Sequence, residues 1–162
     1  MYTKKLIKKI EALYDVDQRS IRLYRLGKLS GLVLEKINLG HTAILKKIIA
    51  KHGFSFKNST SEKAYASAFL ITQHSDDLGF MERVRRIFSG SSGAQINKSD
   101  LGYLIDRIKV LKGLPQVYGT QYKKTRAGKI TFFDIKDIKN LDKRRKKLGM
   151  ETLNEYRKNL VQ

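Results

Sequence analysis

Apolar side chains return at helical spacing along most of this 162-residue chain, and that period limits what it can fold into. Residues 3–28 carry Leu6, Ile10, Leu13, Ile21 and Tyr24 on one stripe, and residues 31–51 carry Leu34, Ile37, Ile44, Leu45, Ile48 and Ile49. Gly53 then supplies a helix stop. Ser59 and Glu62 have the spacing of a capping box, opening a helix that runs to His74 or Ser75. Asp76 and Asp77 suit the N-terminus of a helix over 77–88, with Leu78, Met81, Val84 and Phe88 inward. Asn97 to Asp100 caps a further helix reaching Lys112. It is apolar on one face through Leu101, Leu104, Ile105, Ile108 and Leu111, and on the other through Tyr103 and Val110, which predicts a central position. Between these two, Ser89 to Gly93 reads as a mobile connection.

Beyond Gly113 and Pro115 the pattern shortens. Residues 116–123 and 129–135 read as two strands of a hairpin turning at Thr125 to Gly128, followed by a basic helix over 137–148 and a short last helix ending near Leu160. The spacing thus predicts a mainly α fold: an orthogonal helical bundle of about six helices, with one small β-hairpin near the C-terminal third, in a single domain over 1–162.

Composition removes several classes of function. There is no cysteine, so a disulfide scaffold, a thiolate zinc site and a cysteine nucleophile are all excluded. Lys4, Lys5, Lys8 and Lys9 break up the apolar residues near the start, so no signal-peptide core forms there. Runs such as Leu32 to Leu34 are far too short to span a bilayer. The expected compartment is the cytoplasm, with no membrane partner. Lys and Arg number 34 against 15 Asp and Glu, a formal charge of +19. Such a field attracts polyanions, although lysine spread along a whole chain also serves solubility.

Three predicted helices carry polar groups on their inward faces. Asp17 stands four residues after Leu13 and four before Ile21, where a carboxylate must be paired or hydrated. Ser67, Leu70, Ile71 and His74 share a face, with Gln73 beside it; Asp106 and Arg107 fall on the Tyr103–Val110 face. Each alone has a structural explanation: a helix-end cap for His74, and a salt bridge of Asp17 with Arg107. Their coincidence points to a site. In the predicted strand, Gln116, Tyr118 and Thr120 face one way and Gln121 the other, with Gly119 letting a ligand approach closely.

Gln73-His74-Ser75-Asp76, Leu104-Ile105-Asp106-Arg107 and Gly113-Leu114-Pro115-Gln116-Val117-Tyr118-Gly119-Thr120-Gln121, in this order, resemble a family of bacterial domains of unknown function. Asp17-Gln18-Arg19, Asp142 to Arg145, Leu148-Gly149 and Glu155-Tyr156 fit the same pattern, while Phe54 stands where a tryptophan is expected. The resemblance implies a site without implying a reaction.

The residues suggest an enzyme carrying out hydrolysis or group transfer on an anionic small molecule or nucleotide. His74 would be the general acid/base, with Asp106 or Asp17 orienting it. Arg19, Arg107, Arg144 and Arg145 would hold the anion, and Gln73, Gln116, Tyr118 and Gln121 the rest of the substrate. No cofactor is expected, since P-loop and dinucleotide fingerprints are absent. No metal is expected either, because Asp17, His74 and Asp106 are scattered in sequence and His41 and His52 lie elsewhere. The alternative is a non-enzymatic nucleic-acid binder using Lys123, Lys124, Arg126, Lys129 and Lys143 to Lys147, with Tyr122, Phe132 and Phe133 to stack on bases. A third reading is an inhibitor or immunity-type module for an acidic protein partner.

Overall fold

The computed structural model describes residues 2–54, 57, 60–91, 95–125 and 129–161. The protein is mainly α, with seven α-helices and one two-stranded antiparallel sheet among these residues. It divides into two compact units, Met1–Ile96 and Asn97–Gln162. No described helix is long and apolar enough to cross a membrane.

The first unit is built from α1 (Lys4–Arg25), α2 (Gly31–His52), α3 (Glu62–His74) and α4 (Leu78–Ser89). Each starts on a side chain that accepts an otherwise orphaned N–H: Thr3 from Leu6, Ser30 from Val33, Ser61 from Ala64 and Asp77 from Phe80. The cap of α3 is therefore Ser61, with Glu62 already in the first turn; Ser59, half of the predicted capping box, lies outside the described residues, as does Gly93. α1 and α2 are joined by five residues and pack together, and α3 lies against both. Ile10, Leu45, Ala64, Ala68, Met81 and Val84 are fully buried. Phe88 gathers an aromatic cluster, stacked on Tyr65 and Phe69 and edge-on to Phe54 at 5.0 Å. Phe54 thus does the packing for which a tryptophan was expected. Tyr24, predicted to be inward, is exposed; the buried stripe of α1 is Ile10, Leu13, Asp17 and Ser20.

The second unit comprises α5 (Lys98–Leu111), β1 (Tyr122–Lys124), β2 (Ile130–Phe132), α6 (Leu141–Lys147) and α7 (Leu153–Val161). The hairpin pairs Tyr122 with Phe132 and Lys124 with Ile130, so it is shorter than the sequence suggests. Residues 116–121 are not a strand. Gln116 makes one parallel bridge to Ile135, and the chain then turns through Gly119 at φ +66°. That left-handed conformation breaks the alternation a strand requires. The predicted helix over 137–148 is a 3-10 turn at Ile138–Asn140, entered from Asp137 at φ 45°, followed by α6; the two are divided at Asn140, whose backbone (φ −104°, ψ 11°) leaves the helical region.

Candidate functional site

In the first unit the inward stripe of α1 delivers Asp17 to the C-terminal residue of α3. Asp17 Oδ1 lies 2.9 Å from His74 Nδ1, and Asp17 Oδ2 accepts from Gln18 Nε2 at 2.9 Å. The carboxylate side chain is 2% exposed and the imidazole 30%. A carboxylate only accepts, so the proton in this contact belongs to Nδ1. In the neutral ring the lone pair then stays on Nε2, which has no partner among the described residues.

A second histidine stands close enough to feel the same carboxylate. His41 is buried in α2, aligned with Leu45, Ile48 and Ile49. Burial holds its pKa below the usual histidine value, and the negative charge of Asp17 acts against that shift. Among the described residues, three buried polar atoms of this unit have no hydrogen-bond partner: Asn38 Oδ1 and His41 Nδ1, one turn apart on α2, and Gln73 Nε2 on α3. Each unpaired buried group costs about 1–3 kcal/mol, so these three atoms are exceptions to the usual pairing of buried polar groups. Sequence reading missed Asn38 and His41. The signal was available: both interrupt the Leu34–Ile37–Leu45–Ile48 stripe as Asp17 interrupts its own. Three buried hydroxyls, by contrast, are satisfied locally. Ser20 donates to Val16 O, Ser67 to Lys63 O and Thr72 to Ala68 O. Arg19, two residues after Asp17 and hence about 200° round the helix, is exposed.

The second unit collects most of the other predicted residues around one loop. Asp106, fully buried on α5, accepts from the N–H groups of Val117 (2.6 Å), Tyr118 (3.0 Å) and Thr120 (3.0 Å), and from the Thr120 hydroxyl (3.0 Å). Burial raises its pKa and these donors pull it back down. Gln116 closes the loop on itself: Oε1 accepts from Gln121 N, while Nε2 donates to Gln121 O and Phe133 O, each at 2.9 Å. The carbonyls are held from α6 and α7. Arg144 donates to Val117 O, Lys136 O and Asp137 O; Arg145, 1% exposed, donates to Tyr118 O and Glu151 O and stacks on Tyr156; Tyr156 donates to Thr120 O. Tyr118 and Gln121 keep half-exposed side chains, the Gln121 amide donating to Thr120 Oγ1. Arg107 is half-buried on α5.

Residues 30–162 match a family of unknown function, DUF6624. The chain belongs to that family. The matched range holds His41, Gln73, His74 and the whole Asp106 loop, whereas α1, with Asp17 and Arg19, precedes it. The resemblance noted in the sequence at Asp17 to Arg19 is thus outside the stretch that DUF6624 accounts for. No curated protein and no solved structure matches the chain.

Among the described residues, no group of three or more His, Asp or Glu side chains is placed to hold a metal ion. On the basic face proposed for nucleic acid, Lys123, Lys124, Lys129, Lys143, Lys146 and Lys147 are exposed. Arg126 lies outside the described residues. The aromatic rings expected to stack on bases pack against protein. Tyr122 and Phe132 form a cluster with Tyr156, and Phe133 lies under the Lys123 ammonium at 5.1 Å.

Proposed function

We propose that this protein is an enzyme in which His74 transfers a proton through Nε2 while Asp17 holds the ring, in hydrolysis or group transfer on an anionic small molecule or nucleotide. One observation carries the reading: a buried carboxylate 2.9 Å from Nδ1 of a ring that still reaches solvent. A purely structural histidine gains nothing from a free second nitrogen. A general base needs one, together with a partner that fixes its tautomer. Asn38, His41 and Gln73 supply uncharged hydrogen-bonding groups for the substrate, and the +19 charge draws an anion toward the protein. Arg107, Tyr118 and Gln121 remain candidates for binding a polar ligand to the second unit by itself. Asp106, Gln116, Arg144 and Arg145 take a different role from the one their residue types suggest, shaping the 116–121 loop.

Charge alone favours the nucleic-acid reading, because its stacking rings are occupied. The deciding experiment screens wild-type protein against phosphate esters, nucleotides and acyl esters, with His74→Ala and Asp17→Ala carried through every assay. Loss of turnover in both variants, with melting temperatures near wild type, supports the reading. An activity that survives His74→Ala, or variants that merely melt earlier, sinks it.

A further inference from the structure

We propose that a groove between α1 and α2 is a binding site for a nucleotide unit, with its phosphate among lysines and its base on an apolar floor. The groove, about 310 Å³, is lined by Lys9 of α1 and by Ile44, Lys47, Ile48, Lys51 and His52 of α2. Ile44 and Ile48 are one turn apart, as are Lys47 and Lys51, so α2 presents both an apolar and a cationic row to the same hollow. Lys9 faces them from the other wall. Behind His52, Tyr2 donates its hydroxyl to Gly53 O at 2.6 Å and places its ring 5.9 Å from the imidazole.

The charge balance is what makes this a site rather than a solvated surface. No carboxylate lines the groove, and Lys9, Lys47 and Lys51 have no ion-pair partner among the described residues. Acidic side chains that could have been neighbours are engaged elsewhere: Asp15 with Lys63, Asp77 with Lys46, Glu82 with Arg85, Asp17 with His74, and Glu11 accepting from Ser61. Three ammonium groups around one hollow repel each other unless an anion sits between them.

The floor narrows the class of anion. A bare phosphate would leave Ile44 and Ile48 unused, while a flat base could lie across them against the His52 ring. The volume is at the small end for ligand pockets, of order 300 Å³, which suits one nucleotide rather than a larger cofactor. This site is independent of the proton-transfer reading. The α2 residues of the groove run from Ile44, about 4.5 Å along the helix axis from His41, to His52, about 16.5 Å from it, and His41 itself does not line the groove. The same chemistry has two sources, a free mononucleotide or a nucleotide within a single strand.

The test uses the full chain and NMR amide shifts, with AMP, inorganic phosphate and a ten-residue oligodeoxyadenylate as probes. AMP or the oligonucleotide should move Ile44, Ile48, Lys51 and His52, and whichever binds more tightly per nucleotide names the source. Lys47→Glu with Lys51→Glu should weaken that binding by about tenfold or more, equivalent to about 1.4 kcal/mol. Lys143→Glu, in the second unit, should leave it unchanged. The inference is overturned if the charge-reversed protein, folded by circular dichroism, binds within about twofold of wild type. It is equally overturned if shifts spread over the basic surface without centring on the groove, or if inorganic phosphate binds as well as AMP.

Discussion

Asp17 and Asp106 are both buried carboxylates on helices, and they are used in opposite ways. Asp106 has four donors, three of them backbone N–H groups, and no lone pair is left for a ligand. Asp17 has a glutamine amide and an imidazole whose other nitrogen is open. The first arrangement fixes the shape of the chain. The second fixes the orientation of a group that can itself gain or lose a proton. Burial of a charge is therefore weak evidence of catalysis by itself; the identity of the partners decides between scaffold and site.

The largest consequence should follow from Asp106→Ala, which strands those donors in a dry interior. We expect a loss of about 3–5 kcal/mol in urea unfolding, and a near-neutral result would break the contrast with Asp17. Gly119→Ala comes next. The left-handed backbone resists a side chain, and a Cβ there would lie 3.2 Å from both Ile135 Cδ1 and Leu153 Cδ1. The same measurement should give a loss of about 1–3 kcal/mol.

His74→Ala should cost about 1–3 kcal/mol, since it leaves the buried Asp17 carboxylate with only the Gln18 amide, while removing any turnover. Asp17→Ala offers a sharper probe. Nitrogen-15 NMR of wild type should find the imidazole proton on Nδ1, and the variant should let it return toward Nε2; an unchanged tautomer would mean that Asp17 does not hold the ring. The smallest effect is one of pH. His41 has its pKa lowered by burial, so the unfolded chain takes up a proton where the folded one does not. Stability should therefore fall as pH drops below about 6.5 toward the folded-state value, and His41→Asn should flatten that slope.

Helical periodicity was enough to locate α1 to α5 and to mark Asp17, His74 and Asp106 as polar groups in apolar places. It could not separate them, because a period reports which face is buried and says nothing of the partner across the interface. Asp106 meets N–H groups eleven to fourteen residues away, a contact no local pattern encodes. For the same reason residues 116–121 read as a strand: Gln116, Tyr118 and Thr120 alternate correctly, yet after the Gln116 bridge the peptide groups of Val117, Tyr118 and Thr120 turn to Asp106, Arg144, Arg145 and Tyr156 instead of to a neighbouring strand. Arg144 and Arg145 look like anion ligands by residue type, and it is their carbonyl partners that redirect them. Asn38 and His41 were legible by the rule that found Asp17, and were overlooked because Asn and His interrupt a stripe less loudly than a carboxylate does.

The loop over 116–121 is held through its own amides and carbonyls, with Asp106, Gln116, Arg144, Arg145 and Tyr156 as the clamps. Its path therefore depends little on which side chain stands at Val117, a residue that contributes only main-chain atoms to these bonds. Diversity can be introduced at that position at small cost to the frame, which makes the loop a natural mount on which new recognition can be selected.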